Sequence, residues 1–296
     1  MIEIMTCIKP NDCPCPKLCH PDLPKYPIYD LPRLNKVKTR ELVANGILAI
    51  EDIPDDYPLS ERQRTQVEAV KAGKAYIDLF AIKNELAKLE FPLYFLDYET
   101  FNPGMPTYDG YKPYQNMVFQ YSLHVYETPK SKATHYECLI TEPGDPGISL
   151  VEHLSKHIGE SGSVVVWNRT FEAERNKEMA EMYPDYGDIL LNINGRIFDL
   201  MEIFKQGYYI HPDFHGSYSI KNVLPVLVKD QDLSYDDLPI PKGEEAMMAW
   251  LGIMRGILSE DEIIITKKEL LRYCELDTMA LVKNWKALEN LVTESR

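Results

Sequence analysis

The chain changes character at Pro92. Leu93-Tyr94-Phe95-Leu96 is a continuous apolar run of the kind that forms a buried strand. Met117–Tyr126, His135–Ile140 and Ser163–Trp167 read as further strands, with a last short one at Arg196–Phe198. Helical patterning marks residues 148–160, Glu172–Met182, 199–206, 219–228, 243–257 and 266–292. Upstream, residues 1–30 are rich in Cys and Pro and read as irregular, and a short helix after Leu31-Pro32-Arg33-Leu34 stops at Gly46. One long helix is expected from an N-cap at Ser60 to Leu89, because Arg62 to Lys88 lacks proline. Strands come first and helices dominate later. That order predicts an α/β chain with a mixed sheet flanked by helices rather than a regular βαβ alternation. Residues 1–90 are expected to form a small Cys-rich and helical appendage, and residues 91–296 the α/β domain.

Two acid-bearing faces stand out against this pattern. Strand side chains alternate, so Leu93, Phe95, Asp97 and Glu99 share one face, and two carboxylates continue an apolar row. An unpaired buried carboxylate costs several kcal/mol, so acids at such positions are usually paired or bind metal. The plain alternative is a strand end emerging into solvent. In the last helix, Leu270, Cys274, Leu281 and Leu288 form an apolar stripe that also contains Asp277. Tyr273 lies four residues before Asp277, on the same face and one turn away. Here the alternative is an acid paired with a nearby Lys or Arg.

Together, the acid-x-Glu strand end and the Tyr-x-x-x-Asp helix resemble the first and third motifs of the tyrosine-bearing DEDD exonucleases, which have RNase H-like folds. Val164-Val165-Val166-Trp167-Asn168-Arg169-Thr170-Phe171-Glu172 resembles the motif between them, although the family usually has Asp where this chain has Glu172. Asp199, in Arg196-Ile197-Phe198-Asp199, is the rival fourth acid. Gly216-Ser217-Tyr218-Ser219-Ile220-Lys221-Asn222-Val223-Leu224 looks like the Ser-Leu-x-x-Leu helix that follows the second motif. With Phe95 to Phe101 and the Pro113-Tyr114-Gln115 loop, these segments resemble a bacterial family in which an RNase H-like domain follows a RecB-like iron–sulfur nuclease domain. The resemblance implies a metal-dependent 3'-5' exonuclease acting on DNA or RNA at a single-stranded 3' end. Asp97, Glu99, Glu172 and Asp277 would hold two Mg²⁺ or Mn²⁺ ions, and Tyr273 would aim the attacking water.

Substrate contacts are expected from Asn168, from Tyr114 by base stacking, and from Ser219 and Lys221 at a helix N-terminus. A Tyr-rich loop packed on itself and an ordinary N-cap are the competing readings. Net charge of -14 counts against passive nucleic-acid binding. It does not exclude a nuclease, whose carboxylates are neutralised by ions. A catalytically weak nucleic-acid-binding module, or an adaptor of a RecB-like system, therefore remains as the second reading.

Cys7, Cys13, Cys15 and Cys19 crowd the first 20 residues. In a reducing compartment such a set reads as metal ligands, and Cys7-x5-Cys13-x5-Cys19 resembles the closing cysteines of RecB-like nucleases. A Zn²⁺ site, an iron–sulfur cluster and a metal-free remnant all stay open, and the chain reads as a fragment or shortened relative of a longer protein. No apolar run approaches the roughly 20 residues of a membrane span. A cytoplasmic protein without a membrane partner is expected.

Overall fold

The computed structural model describes residues 22–228, 239–240 and 242–294. Cys7, Cys13, Cys15 and Cys19, and with them the zinc or iron–sulfur expectation, lie outside the described residues. The chain divides into two compact units. The first takes the described residues up to Lys83 together with Glu202–Val226; the second takes Asn84–Met201 and the residues from Leu227 onward. Sequence patterning assigns everything after residue 91 to one domain. Glu202–Val226 instead joins the first unit, for reasons that only long-range pairing reveals.

In the first unit, helix α1 (Lys36–Ala44) is capped by Asn35, whose side chain accepts from the Lys38 N–H. Helix α2 (Glu61–Ala72) starts with a reciprocal capping box between Ser60 and Gln63, which confirms Ser60 as the N-cap. The long helix expected to follow does not form. Gly73 adopts the left-handed conformation at φ 61° and ends α2 there. The chain then enters a short strand, β1 (Tyr76–Ile77), before helix α3 (Leu79–Leu86). Strand β1 pairs antiparallel with a distant strand at Tyr209–Ile210. The Arg62 guanidinium also donates to the Phe204 carbonyl. These contacts draw Glu202–Val226 into this unit. Ile28, Leu31, Leu42, Ile50, Ile53, Val67 and Val70 form its core.

The second unit is a five-stranded mixed sheet flanked by helices. Its strands are β2 (Leu93–Phe101), β3 (Met117–Tyr126), β4 (Thr134–Leu139), β5 (Ser163–Val166) and β6 (Ile197–Asp199), in the order β4-β3-β2-β5-β6. Strands β2, β3 and β4 form an antiparallel meander; β5 and β6 run parallel to β2. Tyr94, Leu96, Tyr98, Tyr121 and Leu123 bury one sheet face. They share that core with residues of helices α4 (Pro146–Leu154), α5 (Arg169–Met182) and α6 (Gly187–Gly195). The short α7 (Glu202–Lys205), the strand β7 (Tyr209–Ile210) and α8 (Ile220–Leu227) follow in sequence.

Two helices, α9 (Gly243–Met254) and α10 (Glu260–Glu294), pack on the other sheet face. Trp250 of α9 stacks on Phe119 at 4.6 Å, and its indole N–H donates to the Ile140 carbonyl. Helix α10 is fixed by a buried polar row on β3. Gln120 donates to the Leu270 carbonyl at 2.7 Å, the Ser122 hydroxyl meets Thr278 Oγ1 at 2.7 Å, and His124 Nδ1 meets the same hydroxyl at 2.9 Å. Trp285, further along α10, packs against Phe95 and Tyr126. No helix among the described residues is long and apolar enough to cross a membrane.

His124 is 2 % exposed, and burial, followed by the nearby His135, lowers its pKa to about 3. A folded-state pKa below the unfolded one means that its stabilising effect is complete above the unfolded value of about 6.5 and fades as pH falls toward 3. His124→Gln should therefore remove part of the protein's acid sensitivity. Between about pH 8 and pH 5 the wild type should lose about 2 kcal/mol more stability than the variant, by the linkage relation. Urea melts of both proteins at the two pH values check this, and equal losses would contradict the assigned burial of a neutral imidazole.

Candidate functional site

The parallel strands β2, β5 and β6 all end at one side of the sheet. β5 pairs with β2 only through Leu93, Tyr94 and Phe95, so β2 runs on past the end of its neighbour. Asp97 and Glu99 lie on this overhang. Immediately after Glu99 the β2–β3 register shifts, leaving Phe119 as an extra residue. Bulges of this kind commonly re-aim side chains beside functional sites.

Helix α10 brings Tyr273, Cys274 and Asp277 to the same place, because its anchors at Leu270 and Thr278 bracket them. Cys274 Sγ lies 3.7 Å from Asp97 Oδ2. Donor atoms of Asp97, Glu99 and Cys274 all lie within 4.8 Å of one another. The Asp97 carboxyl is held well above the usual carboxylate range, first by burial and then by Asp277, Glu99 and Glu172. The buried Tyr273 phenol is also pushed up, by burial and then by Asp277, Glu99 and Asp97. Five of the expected residues, Asp97, Glu99, Glu172, Tyr273 and Asp277, thus share one electrostatic environment. Like charges this close resist full ionisation without a compensating cation.

Glu172 sits in the first turn of α5 and is 3 % exposed. Burial raises its pKa to about 8, its own backbone N–H opposes the rise, and Asp199 adds to it. Its Oε2 is buried and has no hydrogen-bond partner among the described residues. Asp199 differs. One of its oxygens accepts from the Arg169 N–H at 3.0 Å and the other from the Met201 N–H at 3.1 Å. The rival acid therefore ties two chain segments together through their backbone amides.

The remaining expected residues are spread out. Asn168 is the residue before α5, exposed, and its side chain makes no capping hydrogen bond. Tyr114 is 74 % exposed at φ 61°, with its phenol over Gly104, so the Tyr-rich loop does pack partly on itself. Tyr111 is held nearby, meeting Tyr183 and Asp145. Ser219 and Lys221 fall in the first unit. There the Ser219 N–H donates to the Ser217 hydroxyl. Cys274 is the member of the cluster that sequence reasoning left in the apolar stripe. The signal available for it was its place three residues before Asp277, on the face shared with Tyr273.

Comparison with known proteins gives relatives without assigned activities. The chain is 29% identical over 215 residues to an uncharacterized protein of Mycoplasma pneumoniae, the MG366 homolog, covering 68% of this chain and 32% of that protein. It is 26% identical over 244 residues to the uncharacterized protein MG366 of Mycoplasma genitalium, covering 77% and 37%. A third relative, the uncharacterized protein UU173 of Ureaplasma parvum, is 26% identical over 251 residues, covering 77% and 34%. The chain thus spans about a third of the length of the curated relatives it matches. No solved structure matches it. Residues 94–219, which include Asp97, Glu99, Asn168 and Glu172 and stop short of Tyr273 and Asp277, match the family described as "Domain of unknown function (DUF2779)".

Proposed function

We propose that the second unit is a metal-dependent nuclease of the RNase H-like, DEDD type, which removes nucleotides from single-stranded 3' ends of DNA or RNA. The observation that carries this reading is the gathering of Asp97, Glu99, Glu172 and Asp277 at the overhanging end of β2, with Tyr273 beside them. The sheet supports it. A three-stranded meander with two further strands parallel to its first strand, on that strand's free side, is the arrangement expected of an RNase H-like fold.

The residues fit divalent cations. Carboxylate oxygens are the donors that Mg²⁺ and Mn²⁺ prefer, and Glu172 presents a buried oxygen with no hydrogen-bond partner among the described residues. Asp97, Glu99, Glu172 and Asp277 would hold the ions. When bound, these supply positive charge at the phosphodiester and lower the pKa of water. Tyr273 is no general base at neutral pH, since its surroundings push a pKa that starts near 10 further up. Its phenol can orient the attacking water by a hydrogen bond. Asn168 and Tyr114, both exposed, are the proposed contacts to the nucleic acid, the second by stacking. Glu172, standing where the resembled family usually has Asp, favours a second reading, a module that binds nucleic acid without cutting it. Cleavage of 3'-labelled single-stranded DNA and RNA with Mg²⁺ or Mn²⁺ separates the two: shortening from the 3' end supports the nuclease, and intact substrate under both ions favours the module.

Tyr273→Phe removes one hydroxyl and keeps the ring. It should slow single-turnover cleavage by roughly 10-fold to 1000-fold while leaving Mn²⁺ affinity nearly constant. Asp277→Asn should weaken both. A Tyr273→Phe enzyme as fast as wild type would reduce the tyrosine to a packing residue.

Glu172→Gln should abolish most activity and weaken Mn²⁺ binding with little loss of fold. Asp199→Asn should act mainly on stability, by about 1 kcal/mol, because it weakens two backbone contacts. Parallel metal titrations and thermal melts distinguish the two roles. The reverse pattern would make Asp199 the ligand.

A further inference from the structure

The first unit contains a cavity that the nuclease reading does not use. It has a volume of about 610 Å³, within the range of small-molecule sites, and Asp30, Arg33, Thr39, His215, Tyr218 and Asn222 are among its lining residues. Arg33 also lines a second hollow of about 390 Å³, together with Lys38, Ser60 and Arg62. Arg33 thus lies on the wall of both hollows, and Arg62 on the wall of the second.

Their surroundings leave positive charge in excess. Asp30, the acid on the wall, is buried and already engaged by His215 at 3.2 Å. Arg62 lies over the Tyr218 ring at 4.7 Å and reaches the Phe204 carbonyl. Its guanidinium is lowered first by burial, and Arg33 lowers it further while Tyr218 and Glu202 oppose the shift. Burial raises the Tyr218 phenol, whereas Arg62, Arg33 and Lys205 all pull it down. Glu202, the acid whose charge acts on Arg62, is shared with Lys205 and Gln206. Arg33 makes no hydrogen bond or ion pair among the described residues. In a chain of net charge -14, two neighbouring arginines without a dedicated carboxylate among the described residues are unusual.

The backbone is also unusual at this spot. Arg33 at φ 55° and His215 at φ 49° are two of the three non-glycine residues in the left-handed region among the described residues. At Gly216, φ 69°, a Cβ would overlap the Asp30 carbonyl. Such conformations persist where the surroundings over-determine them, and they collect at ligand clamps.

We propose that the cavity and the hollow beside it together bind a phosphate monoester, with Arg33, on the walls of both, and Arg62, on the wall of the hollow, as the charged clamp. Guanidinium forks match phosphate oxygens in pairs, and a dianion balances two of them where a single carboxylate does not. The cavity has room for a ligand of nucleotide size, and Thr39 and Asn222 offer polar contacts to its uncharged part. A free nucleotide and the phosphorylated end of a strand share this chemistry. The proposal stands apart from the nuclease reading, since none of its residues belongs to the carboxylate cluster.

The experiment is calorimetric titration of the full chain in the presence of a chelator, so that cations at the acid cluster cannot recruit phosphate. The probes are inorganic phosphate, adenosine 5'-monophosphate, adenosine, and a tetranucleotide with and without a 5'-phosphate. Adenosine monophosphate or the phosphorylated tetranucleotide should bind and its unphosphorylated counterpart should not; which of the two binds identifies the source. Arg33→Gln, which breaks no hydrogen bond or ion pair among the described residues, should weaken binding by about tenfold or more, consistent with loss of a charge-assisted contact. Arg62→Gln should do the same, with melting curves checking that it is folded. Absence of phosphate-dependent binding at millimolar concentration, or affinity unchanged by Arg33→Gln, would overturn the proposal.

Discussion

Everything at the candidate site depends on how α10 is seated on β3. A 35-residue helix with an apolar stripe can slide or turn on a purely apolar sheet at little cost. Here the strand presents Gln120, Ser122 and His124 to the helix instead of three hydrophobic side chains. Each is 2 % exposed or less, and each finds a partner on α10. Buried polar groups lose about 1–3 kcal/mol when left unpaired, so a shifted helix is penalised several times over. The polar row thus specifies position, while Trp285 and the apolar stripe supply the adhesion. Tyr273 and Asp277 reach Asp97 because the anchors at Leu270 and Thr278 lie on either side of them.

The carboxylate cluster carries the opposite energetic sign. Burial and mutual repulsion hold the Asp97 carboxyl out of its ordinary range, and burial raises Glu172 to about 8. A cluster that is costly in isolation must be supported by rigid surroundings. The overhang of β2, the adjacent bulge and the anchored helix provide that support. Proteins tend to accept such a cost where the groups act on something else. This is why the cluster carries more weight for function than any one acid in it.

Much of this was legible in the sequence. The alternation in β2 put Asp97 and Glu99 on one face, and helical spacing put Tyr273 and Asp277 on another. All ten residues of β3 were readable from their apolar content. What was not legible depended on distant partners. Nothing near Tyr76 announces that it pairs with Ile210, so an apparently unbroken helix became a helix, a strand and a second helix. The same pairing removed Glu202–Val226 from the second unit. Local pattern reports the face a residue uses; it does not report which segment will cover that face.

Cys274 shows the same limit at the scale of one side chain. Cysteine behaves as a small hydrophobe in packing, so its place in an apolar stripe needed no further explanation. Its sulfur nevertheless lies 3.7 Å from Asp97 Oδ2, and burial followed by Asp97 pushes its thiol well above its usual range. A protonated thiol at that distance donates weakly and adds no charge to a cluster that already resists ionisation. A further carboxylate there would add to the repulsion, and a leucine would bring no donor near Asp97. The small, polarisable, neutral side chain is therefore compatible with both demands on this turn of α10: close packing against the sheet, and no further charge beside Asp97.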